Sequence, residues 1–281
     1  MSMYWQPDSL QFKERMRADE PTERVPETAY DHRELGDALC NEGRVREAVA
    51  HYRKAVAMEN DNPGYHTRLG DAYAYSEMSV KAVAAYRKAV KISPRRAEPH
   101  YSLAEIYRRY GKLMAAIAEY RKAAKFNGMN PFYRYKLGDA LWRAGLRDEA
   151  VIQLEMAVQI APHDAFYHFW LADFFWEAGR IADAIVEMQQ ATMFSPCDSY
   201  YCFRLALLYM AAGHAQEAIN ALKSAIKLKP QERTYHAVLA EAYRECGKTE
   251  RAELHCRRAG ELDSYDSANL EIMRKRGRPQ S

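Results

Sequence analysis

The sequence predicts an all-α solenoid of stacked helix-turn-helix units. Three observations predict it: a strict 34-residue repeat, apolar residues every three or four positions inside each unit, and glycine or proline where helices must stop. Leucine recurs as Leu35, Leu69, Leu103, Leu137, Leu171, Leu205 and Leu239, each followed by a small residue: Gly36, Gly70, Ala104, Gly138, Ala172, Ala206 and Ala240. Alanines follow in the same register, first Ala48, Ala82, Ala116, Ala150, Ala184, Ala218 and Ala252, then Ala55, Ala89, Ala123, Ala157, Ala191, Ala225 and Ala259. The register never slips, so seven units fill 29–62, 63–96, 97–130, 131–164, 165–198, 199–232 and 233–266.

Ahead of the array, residues 1–28 form an N-terminal extension with Tyr4-Trp5 and a predicted short helix from Asp8 to Ala18. It either caps the first unit or reaches a partner. Inside a unit the first helix is exemplified by Tyr133 to Ala144, where Leu137, Ala140, Leu141 and Ala144 share one face. Gly43, Gly111, Gly145, Gly179, Gly213 and Gly247 then stand where a left-handed cap is needed, and only Glu77 departs, which predicts a turn that is more strained or differently shaped. The second helix, as in Asp148 to Ile160, carries Ala150, Val151, Leu154, Ala157 and Val158 on one side. Pro94, Pro162, Pro196 and Pro230 end the corresponding helices, and Pro63 and Pro131 are expected to serve the same stop, shifted along the chain. Alanine or glycine lets backbones approach, and Tyr52, Tyr86, Tyr120, Leu154, Met188 and Leu222 fill the space beside them. Residues 267–281 are expected to form a solubilising terminal helix followed by a small basic tail.

His66, Leu69-Gly70, Tyr73, Ala82, Tyr86, Ala89 and Pro94 trace one full unit of a familiar pattern, and it is repeated in register from 29 to 266. On these residues the chain resembles the tetratricopeptide repeat proteins. Histidine at the large first position (His32, His66, His100, His168, His236) departs from the family pattern and puts local packing in question. The resemblance implies a right-handed superhelix whose inner surface is lined by the first helix of each unit. The second, fifth, sixth, ninth, twelfth and thirteenth places of that helix would then face a groove.

Those places hold an aromatic strip in units four to six: Phe132, Tyr135, Trp142, Phe166, Phe169, Trp170, Trp176, Tyr200 and Phe203, joined by Leu207 and Met210. Units one to three supply only Tyr30, Tyr75 and Tyr101. Tryptophan and tyrosine anchor interfaces, so the strip is read as a docking surface for a protein or peptide segment with apolar or aromatic anchors. The competing reading is that the same rings stack between adjacent units. Acidic residues accompany the strip at the ninth place (Asp37, Asp71, Glu105, Asp139, Asp173, Glu241), and this row is expected to repel a carboxylate. A clamp for a C-terminal carboxylate, and the asparagine ladder of sugar-transferase arms, are both missing from the places where the family carries them.

Basic pairs recur on the second helix as Arg53-Lys54, Arg87-Lys88, Arg121-Lys122 and Arg257-Arg258, either a solvated surface or a positive rib for an acidic protein or phosphates. A net charge of +3 is too small for a general nucleic-acid or membrane surface. The sequence has no run apolar enough to span a bilayer and no secretory leader. Five scattered cysteines (Cys40, Cys197, Cys202, Cys246, Cys256) suit reduced thiols in the cytoplasm. No phosphate loop, His-Glu-x-x-His or Cys-x-x-Cys occurs, so no enzyme activity, cofactor or metal is expected. The predicted function is a non-catalytic adaptor that binds a partner along units four to six, with a permanent subunit of a larger complex as the alternative.

Overall fold

The computed structural model describes residues 27–261. The N-terminal helix, the C-terminal cap and the basic tail therefore lie outside the described residues. Among those described are fourteen helices: α1 Ala29–Asn41, α2 Val45–Met58, α3 Pro63–Tyr75, α4 Ser79–Ile92, α5 Ala97–Arg109, α6 Leu113–Phe126, α7 Pro131–Arg143, α8 Arg147–Ile160, α9 Ala165–Glu177, α10 Ile181–Phe194, α11 Ser199–Ala211, α12 Ala215–Leu228, α13 Arg233–Glu245 and α14 Thr249–Glu261. The chain forms two compact units, divided between Pro94 and Arg95. In the first, α1 to α4 pack in succession; in the second, α5 to α14 do the same. Each repeat is a helical hairpin, and each second helix packs on the first helix of the next repeat in its unit.

Start and stop signals explain the helix bounds. Asn62, Asn130, Asp164 and Asp198 each accept a backbone N–H two residues on, satisfying a donor that a helix start leaves unpaired. At the other end, Gly145 adopts φ of +79°, with Leu146 N–H donating to Leu141 O at 3.0 Å and Gly145 N–H to Trp142 O at 2.9 Å. That double bond pattern closes the helix only through a left-handed residue. Glu77 takes the same place with φ of +59°, the one non-glycine with positive φ among the described residues. Of the two expectations for that turn, a different shape is not seen: Met78 N–H donates to Tyr73 O at 2.8 Å and Glu77 N–H to Ala74 O at 3.2 Å, as in its siblings, so the glutamate itself takes the left-handed place. Pro63 and Pro131 are corrected in role: each opens a helix at its first turn, behind Asn62 and Asn130. There the missing N–H costs nothing.

Packing follows the small residues. Ala48, Ala82, Ala116, Ala150, Ala184 and Ala218 are fully buried, as are Ala55, Ala89, Ala123, Ala157, Ala191 and Ala225. A Cβ at Gly36 would stand 2.6 Å from the Tyr52 ring, and one at Gly70 2.5 Å from Tyr86. Glycine is thus what lets the second-helix tyrosine lie flat on the first helix. Burial of each such large side chain contributes about 1.5–3 kcal/mol to the hairpin.

The histidines at the fourth place are structural. His236 is 1% exposed, with Nε2 3.0 Å from Pro230 O and Nδ1 2.9 Å from His255 Nδ1. His168 repeats the first bond, Nε2 to Pro162 O at 3.0 Å, but its Nδ1 meets Glu187 Oε2 at 2.7 Å. His32 pairs with His51, and His100 with Glu119, across the same nineteen-residue interval. These four rings tie their first helix to the second helix of their own repeat, whereas His66 meets Asn60 O of the preceding loop at 2.9 Å. The departure from the family pattern thus supplies a cross-link.

Candidate functional site

The aromatic strip is carried by α7, α9 and α11, and each of these helices starts at a side-chain cap beside its first aromatic. Asn130 accepts from Phe132 N–H at 3.0 Å, Asp164 from Phe166 N–H at 3.0 Å and Asp198 from Tyr200 N–H at 2.8 Å. The caps therefore fix where the second-place ring leaves the backbone.

From there the rings meet one another across repeats. Tyr135 lies 4.9 Å from Phe166 edge-on, 5.4 Å from Trp170 and 6.2 Å from Phe132. Phe166, Trp170, Tyr135 and Phe132 are all half-buried, so one side of each ring is packed and part remains open. Burial, with the Asp139 charge adding to it, pushes the Tyr135 hydroxyl pKa up to about 12. Trp142 stacks on Phe174 at 4.4 Å and donates its indole N–H to Glu177 at 2.7 Å. Tyr200 is the most open member at 39% exposed. Phe169 and Phe203, read from the sequence as groove residues, are corrected to core positions: they are 8% and 4% exposed. Phe169 stacks on Tyr201 at 5.2 Å, and Phe203 lies 4.9 Å from Tyr235. Both are held between helices of adjacent repeats. For these two residues the stacking reading holds.

Arg204, on α11, organises the far end. Its guanidinium lies 4.7 Å from the centre of the Trp176 ring, 5.4 Å from Phe169 and 5.8 Å from Tyr200. It donates to Asp173 through Nη2 and to the Tyr200 hydroxyl through Nη1 at 3.1 Å. Arg204 is only 8% exposed, and its pKa is raised, the cost of burial being outweighed by Asp173 and Tyr200. Two buried donors here, Arg204 Nε and Trp176 Nε1, have no acceptor. Its signal in the sequence is a base at the sixth place of the repeat that follows Asp173.

The acidic row is not a bare row. Tyr52 donates to Asp37 and Tyr86 to Asp71, each at 2.7 Å, and Tyr120 donates to Glu105. Bases at the sixth place of the next repeat add a second tie: Arg68 to Asp37 at 3.6 Å, Lys136 to Glu105 at 3.1 Å, and Arg204 to Asp173. Asp139 is held by Arg143 at 3.0 Å. Burial alone raises the Glu105 pKa, but Tyr120, Arg108 and Lys136 outweigh it and hold the carboxyl below its usual range. The expected repulsion of a carboxylate is corrected at Asp37, Glu105, Asp139 and Asp173, where a base of the protein itself offsets the charge.

Among the described residues no group of three or more His, Cys, Asp or Glu side chains is placed to hold a metal, and none of the five cysteines forms a disulfide. No described helix is long and apolar enough to cross a membrane.

Family models for the TPR repeat match residues 36–75 and 104–145, and models for the tetratricopeptide repeat match 63–96, 135–193 and 203–267. No curated protein matches the sequence. Similar solved structures include the MamA protein (23% identity, 62% of this chain and 95% of that one, TM-score 0.55). Another is YrrB, described as a TPR protein with an unusual peptide-binding site (18% identity, 66% and 95%, TM-score 0.56). A third is the APC/C hetero-tetramer Cut9-Hcn1 (18% identity, TM-score 0.55), where the match spans 78% of this chain and 43% of the other. At these identities the likeness is one of fold.

Proposed function

The chain belongs to the tetratricopeptide repeat family, and we propose that it is a non-catalytic, cytoplasmic interaction scaffold that receives a partner segment along the first helices of repeats four to six. The carrying observation is the bed of half-buried rings, Tyr135, Phe166 and Trp170, continued by Trp142, Trp176 and the open Tyr200. Rings fixed on one side by neighbours lose little freedom on binding, which favours them as anchors. Asp173 and Arg204 contribute by neutralising each other, so their end of the bed suits a segment with apolar or aromatic side chains. The acceptor-poor donors of Arg204 and Trp176 suit a neutral oxygen, such as a main-chain carbonyl, once Tyr200 moves aside.

Cross-linking mass spectrometry of the protein in its own cells tests this reading. Cross-links are expected to concentrate on α7, α9 and α11. The Phe166→Ala/Trp170→Ala/Trp176→Ala variant is expected to lose them while keeping its helical circular dichroism. Cross-links that persist in that variant refute the groove.

A second reading, a permanent subunit of a larger assembly, draws on the exposed Val80, Met114 and Met129, none of them a strip residue, at 85%, 66% and 77%. YrrB is described by a peptide site and Cut9-Hcn1 as a hetero-tetramer, so the family fold serves either arrangement. An adaptor is expected to purify alone at moderate salt, whereas a subunit would co-purify in fixed stoichiometry.

A further inference from the structure

The first compact unit separates its charges by helix. Every charged residue on α4 is basic: Lys81, Arg87, Lys88 and Lys91. On α2, Arg46, Arg53 and Lys54 are exposed, and the one acid, Glu47, is already held by Arg44 at 2.7 and 2.8 Å. The cations occupy equivalent places one repeat apart, Arg53 matching Arg87 and Lys54 matching Lys88. Between them the surface is small and apolar: Ala50 and Ala84 are exposed, and Val80 is 85% exposed. On α6 the basic pair recurs as Arg121-Lys122, but there Arg121 meets Glu149 at 2.6 Å and Lys122 meets Glu119 at 2.7 Å, and α10 carries Asp183 and Glu187 and no basic residue.

We infer that the outer face of α2 and α4 is a second interaction surface, distinct from the aromatic strip, and that it takes an acidic polypeptide segment bearing apolar side chains. Seven basic residues against one acid on these two helices raise the local potential, steering an acidic partner and setting its register. Exposed pairs of this kind contribute little singly and are weakened by salt, so the interaction needs several carboxylates together and fades as ionic strength rises. Val80 and the alanine floor favour a polypeptide over a nucleic acid, because phosphates make no use of apolar contact and the chain's net charge is only +3.

The test uses the full chain and a fluorescein-labelled synthetic peptide repeating Glu-Glu-Leu-Ala, with fluorescence anisotropy as the readout. Binding is expected at low salt and should weaken about tenfold between about 0.05 and about 0.3 M sodium chloride. The Arg53→Glu/Lys54→Glu/Lys91→Glu variant should bind about tenfold more weakly still, while Lys223→Glu/Lys227→Glu on α12 should match the parent. If charge reversal lowers the helical signal, Arg53→Gln/Lys54→Gln carries the same expectation of weaker binding. Absence of binding at low salt, an equal loss in the α12 variant, or tighter binding of inorganic polyphosphate or duplex DNA at the same salt would overturn the inference.

Discussion

The guanidinium of Arg204 sits over the Trp176 indole, 4.7 Å from the ring centre. In the same position it neutralises Asp173 from the preceding repeat. One side chain therefore joins two repeats and lines the proposed groove.

Replacing Arg204 with leucine should cost about 3 kcal/mol, because the Asp173 carboxylate would lose its charge partner while remaining mostly shielded. Arg204→Lys should recover only part, since an ammonium cannot stack on the indole as a planar guanidinium does. Urea unfolding followed by circular dichroism measures both, and a midpoint unmoved by Arg204→Leu would contradict the pairing.

Tyr52→Phe should destabilise the first repeat by about 1–2 kcal/mol, as the change removes a hydrogen bond to a charged acceptor at 2.7 Å and leaves the ring packing intact. Hydrogen exchange at α1 and α2 amides reads this locally. Protection that stays at the parent level would show that water replaces the phenol without loss.

Two histidines should respond oppositely to pH. Burial lowers the His168 pKa, but the Glu187 hydrogen bond, the Pro162 carbonyl and the Glu187 and Asp164 charges together raise it above 6.5. Its contribution is then fully present below 6.5 and is lost as pH rises through the folded value. His255 is lowered by burial, then by His236, Arg258 and Lys223. Its neutral form is favoured in the fold, so stability is lost as pH falls through 6.5. Melting temperatures of His168→Gln and His255→Gln between about pH 5 and 8 check the signs: the His168 variant should differ most from the parent at the acid end. The His255 variant should lessen the loss at that end.

Glu77→Gly should raise stability by about 0.5–1 kcal/mol. It relieves a left-handed residue at φ of +59°, partly offset by the greater freedom of glycine in the unfolded chain. An unchanged urea midpoint would mean that the turn tolerates the glutamate without strain.

The hairpin fold was legible because its signals are local and recur in register: Gly145 caps α7, and Ala150 and Ala157 mark the face where α8 meets it. Pro63 and Pro131 misled because proline ends one helix and starts the next equally well, and only the preceding asparagine separates the cases. At the site, the ring positions were legible but not their degree of burial. Phe169 and Phe203 occupy the same fifth place as Tyr135, yet they close against Tyr201 and Tyr235 of neighbouring helices. The acidic row was misread because its partners are distant in sequence. A signal did exist: tyrosine follows fifteen residues after Asp37, Asp71 and Glu105, whereas Leu154 and Met188 follow Asp139 and Asp173, which take arginine instead.

The ties from a ninth-place acid to a sixth-place base skip every other junction, joining Asp37 to Arg68, Glu105 to Lys136 and Asp173 to Arg204. Anyone shortening this protein should therefore cut in doublets. Deleting 131–164 alone would set Glu105 opposite Trp170, whereas deleting 131–198 would bring Arg204 into the vacated place and restore a matched junction.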